Sequence, residues 1–143
     1  GALGAFTIKI AMGKVNNTFF HGFFSGIMCN IFVCGAVLMA SAAKDVVGKV
    51  WAAFFPIFAF VISGYEHCVA NMYYIPAGIF AMQNDIYVNI AMEKYGYTVE
   101  QLESLNWVNF FIQNELPVTL GNIVGGMLLG VILYIIHKKN WNK

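Results

Sequence analysis

Arginine is absent from this sequence, and charge of either sign is scarce. Charged residues make up 10% of the 143 positions, and all 8 basic ones are lysine. No patch of clustered cations with interleaved aromatics exists, which excludes a nucleic-acid partner. Cysteine is equally sparse. Cys29, Cys34 and Cys68 lie in apolar stretches without Cys-x-x-Cys spacing, so they read as small buried hydrophobes, not as a disulfide frame or a metal knuckle. His21, His67 and His137 fall at different depths in the spans assigned below and cannot share one ion, so neither a metal nor a cofactor is expected. The opening residues lack a Met, a cleavage site and the basic-then-apolar order of a signal peptide. The chain therefore reads as one that starts in mid-protein. A missing N-terminal half, identical subunits, or both would then complete any enclosed space.

What is abundant is apolar surface. With 59% hydrophobic residues and a formal net charge of +1, and a mean hydropathy of +0.68, the chain belongs with integral membrane proteins. Residues 1–18 are mixed, with Lys9 and Lys14 on either side of Gly13, and Asn16-Asn17-Thr18 forms a turn-and-cap cluster. From Phe19 to Ala43 no formal charge occurs, which predicts a first span of about 25 residues, long enough to tilt. Gly22 and Gly26 on it have the small-x-x-x-small spacing of closely packed helices. Asn30 lies near its middle. A buried amide in lipid must find partners, so Asn30 faces protein or a cavity. Leu116 to Ile136 is a final span of about 21 residues. Pro117 would sit in its first turn, and Gly121/Gly125 and Gly126/Gly130 are two more packing pairs. Asn84 to Asn106 is the long polar segment, with a helix start at Thr98-Val99-Glu100-Gln101, and Trp107 to Ile112 reads as an interfacial aromatic piece.

Between the short loop Lys44–Lys49 and this polar segment lies the stretch that organises the chain. Residues 50–84 hold two uncharged runs on either side of Glu66-His67. Each run alone is shorter than the roughly 20 residues that cross a bilayer. As one helix the pair would reach roughly 50 Å, against a hydrocarbon core of about 30 Å. The span should therefore break near residues 64–70. Backbone freed at that depth is tolerated only beside protein or a water-filled cavity. Pro56 and Pro76 fall one in each half, and Phe54, Phe55 and Phe58 read as lipid-facing or packing residues.

The lysines set an orientation. Lys138, Lys139 and Lys143 in the tail and Lys44 and Lys49 in the short loop belong to the cytoplasmic side, and the acidic 84–106 segment lies outside. The expectation is a multi-pass protein of the cell (inner or plasma) membrane with a cytoplasmic C-terminus. A single interrupted crossing over residues 50–84 agrees with these charges, and Lys14 then faces the outer side.

An imidazole at such a break suits a small weak-acid anion. Dehydrating a bare anion in a constriction is costly, and protonation removes most of that cost. Histidine, titrating near neutrality, can hold the proton, pair with the anion and hand the proton over. A half-helix starting near residues 69–71 would direct its positive end at the break, and Lys14 would draw anions to the outer mouth. Glu66 reads as a structural anchor beside exposed backbone N–H groups. Two other classes stay open: a structural membrane subunit without a passage, and a membrane enzyme using Cys68 as nucleophile with His67 as base. The enzyme is disfavoured because adjacent residues rarely bring Sγ and imidazole into reach, and an apolar setting raises a thiol's pKa.

Gly64-Tyr65-Glu66-His67-Cys68-Val69-Ala70-Asn71-Met72, continuing to Ile75-Pro76, resembles the signature of the formate/nitrite transporter family, which includes hydrosulfide channels. Asn114 to Gly126 resembles that family's final span. The resemblance implies an all-α, aquaporin-like inverted-repeat bundle of six spans. By this resemblance residues 1–143 would be the C-terminal half of one transmembrane channel domain and supply about three of the spans, one interrupted (spans about 19–43, 50–84 and 116–136). It also implies a homopentamer in the lipid bilayer with one pore per subunit, and passage of formate, nitrite or hydrosulfide without enzymatic activity. By the same resemblance His67 is the central pore histidine, Asn30 its polar neighbour and Lys14 the outer vestibule lysine. Phe60 matches the cytoplasmic-side constriction and Val33 lines the outer one. Gly64, Glu66 and Asn71 shape the break. Cys68 stands where many members have Ser, and Glu115 where an apolar residue is common, which leaves the preferred anion open.

Overall fold

The computed structural model describes residues 1–141, with side chains to Lys139. Lys143 of the basic tail lies outside the described residues. The described residues form helices α1 (Ala2–Val15), α2 (Phe19–Ala42), α3 (Val46–Ile62), α4 (Cys68–Ala81), α5 (Asp85–Tyr95), α6 (Val99–Glu103), α7 (Trp107–Asn109) and α8 (Leu116–Trp141), with a π-helical segment, Phe110–Glu115, between the last two. The chain divides into two units, one of residues 1–22 and 68–117, the other of residues 23–67 and 118 onward.

In the first unit α1 is the central element, a helix that the mixed composition of residues 1–18 does not announce, and the turn-and-cap cluster follows it. Ala5, Ile8, Ala11, Met12 and Val15 are all buried. Their three- and four-residue spacing makes one apolar face, and the lysines between them fall elsewhere on the helix. That face packs on α4 and α5, with Ile75, Ala91, Leu102, Leu105 and Phe110 completing the core. Gly78 on α4 lies where a Cβ would collide with that of Ala11. The polar segment holds two helices. Asn84 caps α5 through the Ile86 N–H, Gly96 ends it in the left-handed conformation, and Thr98 with Gln101 forms a capping box on α6.

Pro117 falls in the first turn of α8, as expected, but a π-helical segment runs directly into that turn. Helical structure continues without a gap over Trp107–Lys139, so the interfacial piece and the final span are continuous along the chain. Proline has no N–H to donate, and its ring crowds the carbonyl four residues back. The turn before it widens instead, with the Leu116 N–H bonded to the Phe111 carbonyl five residues away.

In the second unit α2 and α8 meet main chain to main chain. A Cβ on Gly121 would fall on the Phe23 carbonyl, one on Gly125 on the Ile27 carbonyl, and one on Gly26 2.8 Å from the Val118 carbonyl oxygen. Among the described residues Gly126 faces the Asn30 side chain, and Gly130 has nothing within 4 Å. Thr18 caps α2 by accepting from the His21 N–H. Asp45 caps α3 by accepting from the Gly48 N–H, so Val46 to Lys49 is helix and not loop.

No residue of α3 is buried. Its Trp51 stacks on Phe55 and its Phe54 on Phe58 along the exposed surface. Two stretches, Phe19–Ala42 and Trp107–Lys139, are long and apolar enough to cross a membrane, and only 17% of each window is buried. Helices that apolar and that exposed suit lipid, and the fold is an all-α polytopic membrane bundle.

Candidate functional site

The chain leaves helical geometry between Ile62 and Cys68, and its first residues there are fully determined. Ser63 caps α3, and Gly64 follows with φ of +70°. The Gly64 N–H bonds back to the Val61 carbonyl and the Tyr65 N–H to the Phe60 carbonyl, both at 3.1 Å. This is a Schellman closure, whose left-handed position favours glycine. The carbonyls it occupies are those a broken helix would otherwise expose. Tyr65 then stacks on Phe32 of α2, with centroids 6.0 Å apart.

Glu66 comes next and is 3% exposed. Its N–H donates to Ser25 Oγ on α2 at 2.9 Å. Its carbonyl accepts from Asn122 Nδ2 on α8 at 3.1 Å. The same Asn122 amide donates to the Gly26 carbonyl at 2.9 Å. Asn30 Nδ2 in turn donates to the Asn122 main-chain carbonyl at 2.5 Å. A Cβ on Gly126 would lie 2.9 Å from Asn30 Nδ2, so glycine there leaves the amide its room.

His67 follows, half-buried, its ring stacked on Phe60 at 5.9 Å and 26°. The second unit therefore brings together His67, Phe60, Gly64, Glu66 and Asn30. Val33 sits half-buried on α2, three residues beyond Asn30. Lys14 and Asn71 belong to the first unit, and Asn114 joins them. Asn71 Nδ2 donates to Asn114 Oδ1 at 2.8 Å, and Asn114 Nδ2 donates to the Lys14 carbonyl at 2.9 Å. The Lys14 ammonium lies 5.8 Å from the Tyr74 ring centroid. Cys68 starts α4 directly after His67.

Three residues of these networks escape the reading of the sequence. Asn114 and Asn122 carry the signal that singles out Asn30, an amide in or beside an uncharged apolar run, where a polar group must be satisfied. Ser25 carries no such signal, because hydroxyls often bond within their own helix. The chemistry on offer is that of an imidazole on a firmly bonded loop, flanked by amides and an aromatic face. Among the described residues no group of three or more His, Cys, Asp or Glu could hold a metal ion.

Residues 1–136 match the family model described as formate/nitrite transporter. A probable formate transporter of Methanothermobacter thermautotrophicus is 43% identical over 127 residues, covering 87% of this chain and 39% of that protein. The formate channel FocA of Haemophilus influenzae is 40% identical over 131 residues, 90% of this chain and 44% of its own length. A solved pentameric formate channel with formate bound matches with a TM-score of 0.81 at 38% identity, over 94% of this chain and 52% of that one. The chain thus spans about half the length of the relatives it matches. With the break motif, the final-span motif and the fold all coinciding with these matches, the chain belongs to the formate/nitrite transporter family.

Proposed function

We propose that this chain forms half of a passage for small monovalent weak-acid anions, with formate the first candidate and nitrite and hydrosulfide the others. The observation that carries the reading is the position of His67. Its imidazole sits on a loop that interrupts an apolar segment, and the main-chain groups of the residues leading to it are hydrogen-bonded. The imidazole receives the anion, lends it a proton and lets the neutral acid pass the apolar constriction at Phe60. Asn30 and Val33 line the same route. Lys14 collects anions at the outer mouth, where its field raises their local concentration. The relatives' names support formate, and the pentameric neighbour supports a homopentamer. The lysine distribution supports a cytoplasmic C-terminus in the cell membrane.

Full-length protein in liposomes tests this, with flux of formate, nitrite, hydrosulfide and chloride measured across graded pH. Formate flux is expected to rise as pH falls, and His67→Asn to flatten that dependence. Flux absent at every pH, or a pH profile unchanged in His67→Asn, would overturn the reading.

A further inference from the structure

We propose that Asn122 on α8, with Ser25 on α2, is the positioning pair that sets the orientation of the His67 ring; this rests on the proton-handling role given to His67 above. The Schellman closure accounts for the loop only as far as Tyr65. Glu66 is the single residue between that closure and His67, and both of its main-chain polar groups are held by side chains from other helices. Ser25 Oγ takes its N–H, and Asn122 Nδ2 holds its carbonyl.

The Glu66 carbonyl belongs to the peptide plane that ends at the His67 Cα. Turning that plane turns the ring with it, so the grip on the carbonyl fixes the direction of the imidazole. The amide NH2 of Asn122 has two hydrogens and serves two carbonyls, those of Gly26 and Glu66. It thereby ties the loop to α2 as well as to α8. Asn30, bonded to the main-chain carbonyl of Asn122, holds the same turn of α8. No hydrophobic residue could replace this grip, because both acceptors are main-chain carbonyls buried in the seam.

The test uses full-length protein, with formate flux across graded pH and the ring nitrogens of 15N-histidine followed by NMR. The His67 signal is identified by its disappearance in His67→Asn. Ser25→Ala and Asn122→Asp are the working variants, and Asn122→Leu is added where it folds. Loss of one hydrogen bond corresponds to a factor of about ten, so about a tenfold fall in flux is expected for each. Asn122→Asp has a further signature. An ionised carboxylate faces two carbonyl oxygens and repels them, whereas the protonated acid regains one donor. Its flux should therefore recover partly as pH falls, over a range that His67→Asn does not remove. The His67 nitrogen signals should move in all variants. If they stay at their wild-type positions in both Ser25→Ala and Asn122→Asp, the positioning role is overturned, whatever the flux shows. If they move while His67→Asn leaves the flux profile intact, the positioning stands and the proton-handling reading fails.

Discussion

Asparagine does the same work in both units, but the surroundings in which it works differ. In the first unit, Asn71 and Asn114 are enclosed beside a core of side chains built on Ile8, Met12 and Ile75. In the second, Asn122 lies in a seam where Gly121 and Gly125 put α8 directly on the carbonyls of α2. The side-chain core gains from the many dispersion contacts of interdigitated side chains such as Ile8, Met12 and Ile75. Backbone seams depend on dispersion and close approach, which operate in lipid where water gives no drive. Core side chains can shift rotamers when one is changed, but main chain cannot. The two units should therefore fail in different ways.

The largest effect should come from the seam. Gly121→Val would drive a branched side chain into the Phe23 carbonyl, and α2 has no flexible atom there to yield. The expected loss is about 3 kcal/mol, the upper end for overpacking, read as a lowered melting temperature and reduced folded yield of the full-length protein in detergent. Gly130→Val is the matched control on the same helix, with nothing within 4 Å of the added Cβ. It should stay within about 0.5 kcal/mol. Equal melting temperatures for the two would remove the distinction between a seam and an ordinary helix face.

The same contrast explains what can be read without coordinates. The interruption at residues 63–67 is legible because two uncharged runs add up to more length than a bilayer admits. Asn30 is legible because an amide in an apolar run needs a partner. Asn122 meets that criterion too, but embedded in a glycine-rich motif it draws less notice than the glycines. The α1 helix is obscured by Lys9, Lys14 and two glycines, although Ala5, Ile8, Met12 and Val15 keep helical spacing. The π-helical turn at Phe110–Glu115 leaves one trace, Pro117, which is equally compatible with a helix start. The Ser25 bond to Glu66 joins residues far apart in the chain, and no local pattern encodes it.

A smaller effect should separate the two asparagine nodes. Asn114→Ala strips the Lys14 carbonyl and the Asn71 amide of their bonds to that residue, which is 1% exposed. A buried bond lost on one side costs about 1 to 3 kcal/mol. The protein should melt earlier, yet flux per folded protein should keep its wild-type pH dependence, because this node ends on α1 and not on the loop before His67. A changed pH profile in Asn114→Ala would mean that the two nodes act on the same group.

The smallest effect is also the most discriminating. Gly64 and Gly96 have φ of +70° and +72°, and a Cβ on either would meet nothing within 4 Å. Alanine at each position is therefore opposed by backbone conformation alone, at about 1 to 2 kcal/mol. Gly64→Ala and Gly96→Ala should lower the melting temperature by similar amounts. Only Gly64 lies on the path to His67, three residues ahead of it in the loop that carries the ring, whereas Gly96 ends α5 in the other unit. Relaxing the Gly64 turn must tilt the segment from Tyr65 to His67. Formate flux in Gly64→Ala should lose part of its rise at low pH, while Gly96→Ala should retain it. A retained rise in both variants would show that the ring is set without the turn, by the Ser25 and Asn122 grip alone.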